Sequence, residues 1–173
     1  WISRKTQRSY MLPSEAQWEY AIRAGTQTDY YWGDKPAQSV ANCADCGSEW
    51  DGRRTAPVKS FEPNPFGLYD MAGNVWEWVE DCWNDDYRKS PDHSLPRYDG
   101  LCDQRVLRGG SWGIGVTRLR SAYRNWSEIK RRNIDVGFRL VENLESEWIL
   151  DESTRPEVPE ASSESASDVQ ESI

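Results

Sequence analysis

Four cysteines are the side chains with the most reactive chemistry in this 173-residue sequence: Cys43, Cys46, Cys82 and Cys102. They are compatible with two disulfides, Cys43 with Cys46 and Cys82 with Cys102, or with unpaired buried thiols. A single four-cysteine zinc site is a third alternative, because Cys-x-x-Cys is a common half of such a site. A redox-active Cys-x-x-Cys normally opens a helix, whereas Gly47 and Ser48 indicate a loop here. We therefore favour disulfides or free thiols over zinc, and redox activity last.

The only histidine, His93, lies in a polar stretch. A Ser-His-Asp triad would have to rest on this one histidine, and we favour the simpler interpretation. We therefore expect a solvated loop residue at this position.

One helix and a few strands must position these groups. In the stretch Leu12 to Gly25, Ser14 and Gln17 form a capping box, and Trp18 and Ile22 fall on one helical face. Gly25 is suited to the left-handed conformation that ends a helix. The sequence therefore predicts a helix over this stretch.

Turn residues dominate the following segment, 26–65, so regular structure is expected to be sparse there. The Gly73-Asn74 pair predicts a turn that leads into a strand, and residues 84–104 are polar and loop-like. Further strands are predicted over 105–112, ending in a glycine turn, and over 136–141.

The charge is concentrated at the C-terminal end. The formal net charge is −8, but residues 142–173 alone carry ten acids and one base. Their content of Glu, Ser and Pro, with few large apolar residues, predicts a disordered acidic tail. We therefore predict one domain over 1–141, truncated at its N-terminus because Trp1 begins what resembles the end of a helix, and a tail over 142–173. No run approaches the ~20 apolar residues that a membrane span needs.

Four motifs in order resemble the formylglycine-generating-enzyme, or sulfatase-modifying-factor, family. They are Leu-Pro-Ser-Glu-Ala-Gln-Trp-Glu-Tyr-Ala at 12–21, Asn-Pro-Phe-Gly-Leu-Tyr-Asp-Met-Ala-Gly-Asn-Val-Trp-Glu-Trp at 64–78, Arg-Gly-Gly-Ser-Trp at 108–112 and Gly-Phe-Arg at 137–139. The resemblance implies an α+β fold that is irregular, loop-rich and related to C-type lectins, with few helices and short antiparallel strands. The ten tryptophans are consistent with an aromatic core under many loops.

The resemblance also implies structural calcium. By position, the ligands are the side chains of Asp70 and Glu77 and the carbonyls of Gly73 and Val75, and hard oxygen donors of this kind suit Ca²⁺. A possible second site maps to Asn42 and Asp51. The alternative is a tight turn with two surface acids.

The same resemblance identifies four arginines as part of the family framework. We expect Arg108, Arg120, Arg124 and Arg139 to form buried ion pairs with acids such as Glu19 or Glu77. The alternative is that the basic segment 105–139 attracts an anionic partner. Aromatic residues are too sparsely interleaved with these charges to indicate a nucleic-acid partner.

The family's catalytic cysteine pair, which follows Gly-Gly-Ser and binds copper, has no counterpart in residues 113–124, which contain neither Cys nor His. Thiolates are what hold Cu(I), so we do not expect copper at this position. A three-histidine iron site, as in ergothioneine-synthase relatives, cannot be built from one histidine either.

Residues 113–135 resemble the variable segment of retroelement-diversified receptors with this fold, where exposed positions change ligand specificity. The equivalent surface here is Gly113, Ile114, Gly115, Thr117, Trp126, Ser127 and Ile129. An ordinary loop with a packed tryptophan is the alternative. We expect a module that binds a protein or small-molecule ligand at this surface. The competing hypothesis is an oxidoreductase of the family that uses groups outside this chain.

Overall fold

The computed structural model describes residues 1–88 and 93–144. Trp1–Asn143 form one compact unit. Its elements, in chain order, are the helix α1 (Ile2–Thr6), β1 (Ser9–Met11), α2 (Glu15–Arg23), β2 (Trp76–Trp83), β3 (Leu101–Arg108), a 3-10 helix (Val116–Leu119), β4 (Asn125–Glu128), β5 (Val136–Phe138) and β6 (Val141–Asn143). The predicted acidic tail lies outside the described residues, apart from its first three positions. Within the described ranges, no helix combines the length and apolar character that a bilayer span requires.

Helix α2 confirms the strongest sequence prediction. Gln17 donates its backbone N–H to Ser14 Oγ at 3.1 Å, and its side chain accepts from the Ser14 N–H at 2.9 Å, which completes the capping box. Ala24, one residue before the glycine that was expected to end the helix, takes the left-handed conformation. Trp18 and Ile22, one turn apart, are buried.

A four-stranded sheet with the order β4-β3-β2-β5 forms the centre of the unit, and β1 pairs with β6 in a separate two-stranded sheet. Most pairs are antiparallel, as expected, but β5 runs parallel to β2. The β3 strand begins at Leu101, within the segment predicted to be a loop. The first half of β3 alternates between exposed and half-buried residues, so polar residues are compatible with a strand there, and only the last three residues of the strand are buried.

The hydrophobic core lies where α2 packs against β2 and β3. Trp18 and Ile22 contact a buried cluster contributed by strands and loops: Tyr30, Ala41, Cys43, Cys46, Met71, Ala72, Val79, Val106 and Leu119. More than half of this cluster comes from residues outside helices and strands, which is consistent with the loop-rich fold.

Buried asparagines hold the long irregular segments in place. The Asn64 side chain donates to the Ala21 carbonyl at 2.6 Å and accepts from the backbone N–H groups of Phe66 and Leu68. Asn74 bonds both the N–H and the carbonyl of Ala56. These amides satisfy backbone groups that would otherwise be buried without a partner.

Candidate functional site

The segment that follows Gly-Gly-Ser-Trp is filled by apolar side chains. Gly109 and Gly110 both have positive φ, at 90° and 81°, so the chain reverses sharply after β3. A Cβ at Gly110 would lie 2.7 Å from Leu119 Cδ1 and 3.2 Å from Ile114 Cδ1. Leu119 is fully buried and Ile114 is half-buried. The position at which the family resemblance implies copper cysteines is therefore occupied by two aliphatic side chains in close contact with the glycine turn.

Arg108 is the most deeply buried charge of the site, with 0% relative exposure. Its guanidinium donates to Glu19 Oε2 at 2.5 Å and to the carbonyls of Ser121 and Tyr123 at 2.9 and 2.7 Å. It also lies over the Trp18 ring. Arg108 thereby connects α2 to the segment that follows the 3-10 helix, and the predicted ion pair with Glu19 is confirmed.

Arg124 and Arg139 form two more of the four predicted ion pairs, with Glu15 and Glu77. Arg124 binds both carboxylate oxygens of Glu15, at 2.7 and 2.8 Å, and stacks between the rings of Trp83 and Tyr87. Such two-point pairs combine charge with fixed geometry. The prediction is wrong for Arg120, which is exposed and donates to the Thr117 carbonyl. We refer to Glu15, Glu19, Glu77, Arg108, Arg124 and Arg139 as the charged interior.

Glu77, a predicted calcium ligand, belongs to this charged interior. Both its oxygens accept hydrogen bonds at 2.6 Å from Arg139, and Oε2 also accepts from Trp18 Nε1 at 2.6 Å. The carboxylate is buried, so it is not the exposed surface acid of the alternative interpretation. Its negative charge is already balanced by Arg139.

Asp70, the second predicted side-chain ligand, has a hydrogen-bond partner for only one of its two carboxylate oxygens. Its Oδ2 accepts from the Lys59 N–H at 2.8 Å, whereas Oδ1 is buried without a hydrogen-bond partner. The Asp70 carbonyl accepts from Arg139, which places Asp70 beside the Glu77 ion pair. Burial, and secondarily the Asp70 charge, raises the pKa of Tyr31 to about 12, so this neighbour stays a neutral phenol. An unpartnered buried carboxylate oxygen fits a cation ligand, and the calcium site stays a prediction.

Asn42 and Asp51, the possible second calcium site, are joined through one hydroxyl. The Ser48 hydroxyl lies 3.3 Å from Asn42 Oδ1 and 2.5 Å from Asp51 Oδ1. Asn42 also accepts from the Asn74 N–H through its carbonyl at 2.8 Å and pairs with Gly73 in an isolated bridge. The structure therefore brings the two predicted calcium segments into contact, although the second site likewise stays a prediction.

The four cysteines form two disulfides, Cys43–Cys46 and Cys82–Cys102. No free thiol is present in the described part of the chain, so the interpretation as unpaired thiols is wrong. The four-cysteine zinc site is wrong as well, because Cys82 and Cys102 are bonded to each other between β2 and β3. The sequence left this choice open because spacing alone does not show which sulfurs meet.

The predicted ligand surface separates into two groups. Gly113 and Thr117 are exposed in the turn around the 3-10 helix, next to the Cys43–Cys46 loop, where Ala44 donates to the Ile114 carbonyl at 2.8 Å. Ile114 is half-buried and packs on the core, so it does not present its side chain freely. Gly115 lies against the Asp45 carboxylate. We refer to residues 113–117 as the recognition segment.

The second group lies on β4 and just after it. Trp126 is 42% exposed and Ile129 is 54% exposed, as expected for a binding surface. Ser127, however, is only 6% exposed, and its assignment to the surface is wrong. The reason is the alternation of a strand: Trp126 and Glu128 point away from the face that buries Ser127.

Sequence reasoning missed a polar cluster at the start of α2, which lines a cavity of about 400 Å³. Asp81 accepts from the backbone N–H groups of Glu15 and Arg97 at 2.7 and 3.0 Å, and burial raises the pKa of its carboxyl. Tyr87 donates to Glu15 at 2.9 Å, and burial followed by the Glu15 charge raises its pKa. The partners of Asp81 are backbone groups from distant segments, so no local sequence pattern indicates this role.

The amino-acid sequence is similar to one protein family and to members of known function. The model of the sulfatase-modifying factor enzyme 1-like domain family matches residues 1–144. The serine/threonine-protein kinase pkn1 of Chlamydia caviae is 35% identical over 147 residues, which cover 83% of this chain and 22% of that protein. The formylglycine-generating enzyme of Streptomyces coelicolor is 35% identical over 151 residues, which cover 78% of this chain and 47% of the enzyme. The chain thus spans less than half of either relative.

Solved structures of other proteins share the fold. PvdO from Pseudomonas aeruginosa superposes with a TM-score of 0.74 at 35% identity, over 83% of this chain and 56% of that chain. Treponema denticola variable protein 1 superposes with a TM-score of 0.64 at 34% identity, over 77% of this chain and 47% of that chain. The four motifs, the α+β architecture and the family match agree, and this chain belongs to the sulfatase-modifying factor enzyme 1-like domain family.

Proposed function

We propose that this domain is a ligand-binding member of the family that does not carry out copper–thiolate chemistry after its Gly-Gly-Ser motif. The observation that carries the proposal is the pair of aliphatic side chains, Ile114 and Leu119, that contact Gly110. A Cu(I) site needs soft ligands, and aliphatic carbons offer none. The similarity to Treponema denticola variable protein 1 agrees with the resemblance of residues 113–135 to a variable segment.

Recognition would use the exposed positions near the glycine turn and on β4. Thr117 offers a hydroxyl on the recognition segment, and Trp126 offers a large half-exposed ring. Tryptophan is among the residues most enriched at the energetic centres of interfaces. The two groups contact different neighbours. If substitutions in both groups weaken the binding of one ligand, the groups form one broad surface. If only one group affects that ligand, they form two separate patches.

Calcium would support this role by stabilising the scaffold. Asp70 Oδ1 supplies a buried acceptor without a partner, and the carbonyls of Gly73 and Val75 are the backbone ligands that the family resemblance implies. When bound, the cation would supply charge compensation for Asp70 and rigidity to the turn before β2. Glu77 would take part only through the electron pairs that Arg139 and Trp18 leave free.

The alternative function is an oxidoreductase that relies on groups outside this chain. The identity with the formylglycine-generating enzyme of Streptomyces coelicolor favours it. The decisive experiment incubates the domain, and the longest chain that contains it, with copper and a Cys-x-Pro-x-Arg peptide, with the Streptomyces enzyme as the positive control. We expect mass spectrometry to show no aldehyde product, and a formylglycine product from the domain would overturn the proposal.

The binding role is tested by panning a displayed peptide library against the domain. We expect enriched peptides to lose at least tenfold in affinity for Thr117→Ala or Trp126→Ala, and to bind Val58→Ala unchanged. Val58 is an exposed apolar residue from a different segment and serves as the matched control. Peptides that bind all three variants equally would contradict a recognition role for these positions.

The calcium site is tested by thermal unfolding with calcium and with a chelator. We expect calcium to stabilise the domain by about 2.7 kcal/mol at a concentration one hundred times the dissociation constant. Asp70→Asn should reduce this gain strongly, whereas Asp34→Asn should leave it intact. Equal midpoints with calcium and with chelator would remove the site from the proposal.

A further inference from the structure

The Cys43–Cys46 loop assembles three metal-ligating side chains that neither the charged interior nor the proposed function uses. One ligand atom from each of Cys43, Asp45 and Cys46 lies within 4.8 Å of the others. The Sγ of Cys43 is 3.1 Å from Asp45 Oδ1. Within residues 1–88 and 93–144, no other group of three cysteine, histidine or acidic side chains meets this geometry.

Hydrogen bonds outside the disulfide hold the backbone of this loop. Ala44 donates to the Ile114 carbonyl at 2.8 Å, and the Cys46 carbonyl accepts from Ser39 at 2.7 Å. The Val116 N–H donates to Asp45 Oδ1 at 2.7 Å, which orients the carboxylate. Because these bonds do not involve sulfur, we expect the loop to keep its course when the disulfide is opened.

The geometry of the loop suits a tetrahedral cation. The two Cα atoms are 5.2 Å apart. In a tetrahedral zinc site with Zn–S bonds near 2.3 Å, the sulfurs lie about 3.8 Å apart, a separation that side-chain rotation reaches once the S–S bond is gone. Two thiolates and one carboxylate from the protein leave the fourth position open, which is typical of zinc sites that accept an exogenous ligand.

We propose that reduction of the Cys43–Cys46 disulfide converts this loop into a site for one zinc-class divalent cation, with Cys43, Cys46 and Asp45 as ligands. A thiol or phosphine reductant supplies two electrons, the S–S bond breaks, and each sulfur takes up one proton. Binding of the cation then releases both protons, because the ligands are thiolates. A two-electron oxidant, such as a small-molecule disulfide that is itself reduced to two thiols, takes the electrons back, so that the S–S bond re-forms and the cation is released.

The site goes beyond the proposed function and is independent of it. Its carboxylate and its backbone contact the recognition segment directly, through Val116 and Ile114. The open position of the bound cation would therefore lie beside that segment, where it could accept a thiolate, imidazole or carboxylate from a ligand. Both cysteines are buried and Asp45 is exposed, so the carboxylate marks the side of the loop that faces solvent.

The test uses Co²⁺ as a spectroscopic probe for Zn²⁺. The whole chain is reduced with a phosphine under anaerobic conditions and titrated with Co²⁺. We expect one Co²⁺ per chain, thiolate-to-cobalt charge-transfer absorption and displacement by one equivalent of Zn²⁺. The oxidised protein should show none of these signals. If the reduced chain does not bind Co²⁺, the proposal is overturned. This holds whether or not the near-ultraviolet circular dichroism shows that the reduced chain keeps its fold.

Variants assign the ligands. Cys43→Ser should abolish the charge-transfer band, and Asp45→Asn should weaken Co²⁺ binding at least tenfold while the band remains. The double variant Cys82→Ser/Cys102→Ser should bind as the unaltered chain does, and the reciprocal variant Cys43→Ser/Cys46→Ser should not bind. Wild-type affinity in Asp45→Asn, or Co²⁺ binding that depends on Cys82 and Cys102 alone, would contradict the assignment.

Discussion

The charged interior and the recognition segment are built in different ways. In the charged interior, arginines are buried against carboxylates, as Arg108 is against Glu19. In the recognition segment, exposed side chains such as Thr117 project from a backbone that is fixed by hydrogen bonds to the Cys43–Cys46 loop. In this fold, the side chains that specify the scaffold are buried, and the exposed side chains of the recognition segment project from a backbone that is held separately.

The largest expected effect is at Arg108. Arg108→Ala removes a fully buried guanidinium that donates to Glu19 and to the Ser121 and Tyr123 carbonyls, and leaves Glu19 with Arg23 as its remaining ion-pair partner. Breaking a buried ion pair in this way costs about 3–5 kcal/mol of unfolding free energy. Arg120→Ala, at an exposed arginine, should change it by less than about 0.5 kcal/mol. Urea unfolding of both variants measures the contrast. Equal losses of unfolding free energy would contradict the claim that the buried arginine contributes more to stability than the exposed one.

The next contrast lies within the 3-10 helix. Leu119→Ala removes a fully buried side chain that contacts the glycine turn, and we expect a loss of about 2–5 kcal/mol. Thr117→Ala, two positions away, should stay within about 0.5 kcal/mol of wild type. Chemical denaturation checks both values. A Thr117 variant as unstable as the Leu119 variant would show that the recognition segment is part of the scaffold.

The two disulfides should differ in their contribution to stability. Cys82–Cys102 closes a separation of 20 residues and Cys43–Cys46 one of 3. The chain-entropy relation gives about 3 kcal/mol for the first and about 1.5 kcal/mol for the second. Paired Cys→Ser variants, each unfolded in urea without reductant, measure the difference. A greater loss of unfolding free energy for the Cys43–Cys46 variant would indicate that this short loop also stabilises the core by its packing.

The smallest effect concerns the pH dependence of stability at Asp81. Burial raises the folded-state pKa of this carboxyl above its ordinary value of 3.8. The folded protein therefore holds the proton more tightly than the unfolded chain does. Its contribution to the unfolding free energy is complete at pH values below 3.8 and is lost as pH rises through the folded-state pKa.

Urea unfolding of wild type and Asp81→Asn across the acidic range detects this pH dependence of the unfolding free energy. The difference between the two curves should change over that window and be constant at neutral pH. A pH-independent difference would contradict the assignment to Asp81. Asp103→Asn, at an exposed acid on β3, serves as the control.

Much of the scaffold could be predicted because it depends on local patterns. The capping box of Ser14 and Gln17 fixes the start of α2 through contacts three residues apart. The glycine turn at 109–110 was predictable because consecutive glycines tolerate positive φ, and both residues adopt it. The start of β3 at Leu101 was missed because its polar residues face solvent, and the parallel pairing of β5 with β2 was missed because pairing direction depends on residues far apart in sequence.

The candidate site was predictable in composition but only partly in arrangement. The pairing of Arg124 with Glu15 spans 109 residues, and the sequence indicates only that some arginines must be neutralised. Ser127 was placed on the surface because the register of β4 was not known from its sequence. The disulfide pairing needed the positions of the sulfurs.

The sequence by itself determined the family, the α2 helix, the glycine turn and the absence of cysteine and histidine from residues 113–124. These follow from residue identity and short-range stereochemistry. The tertiary structure alone decided that Glu77 pairs with Arg139, that Asp70 keeps an unpartnered oxygen, and that Cys43, Asp45 and Cys46 meet beside the recognition segment. The reason is physical: electrostatic and metal-binding properties depend on the distances between groups, and those distances are set by packing between segments that are remote in the chain.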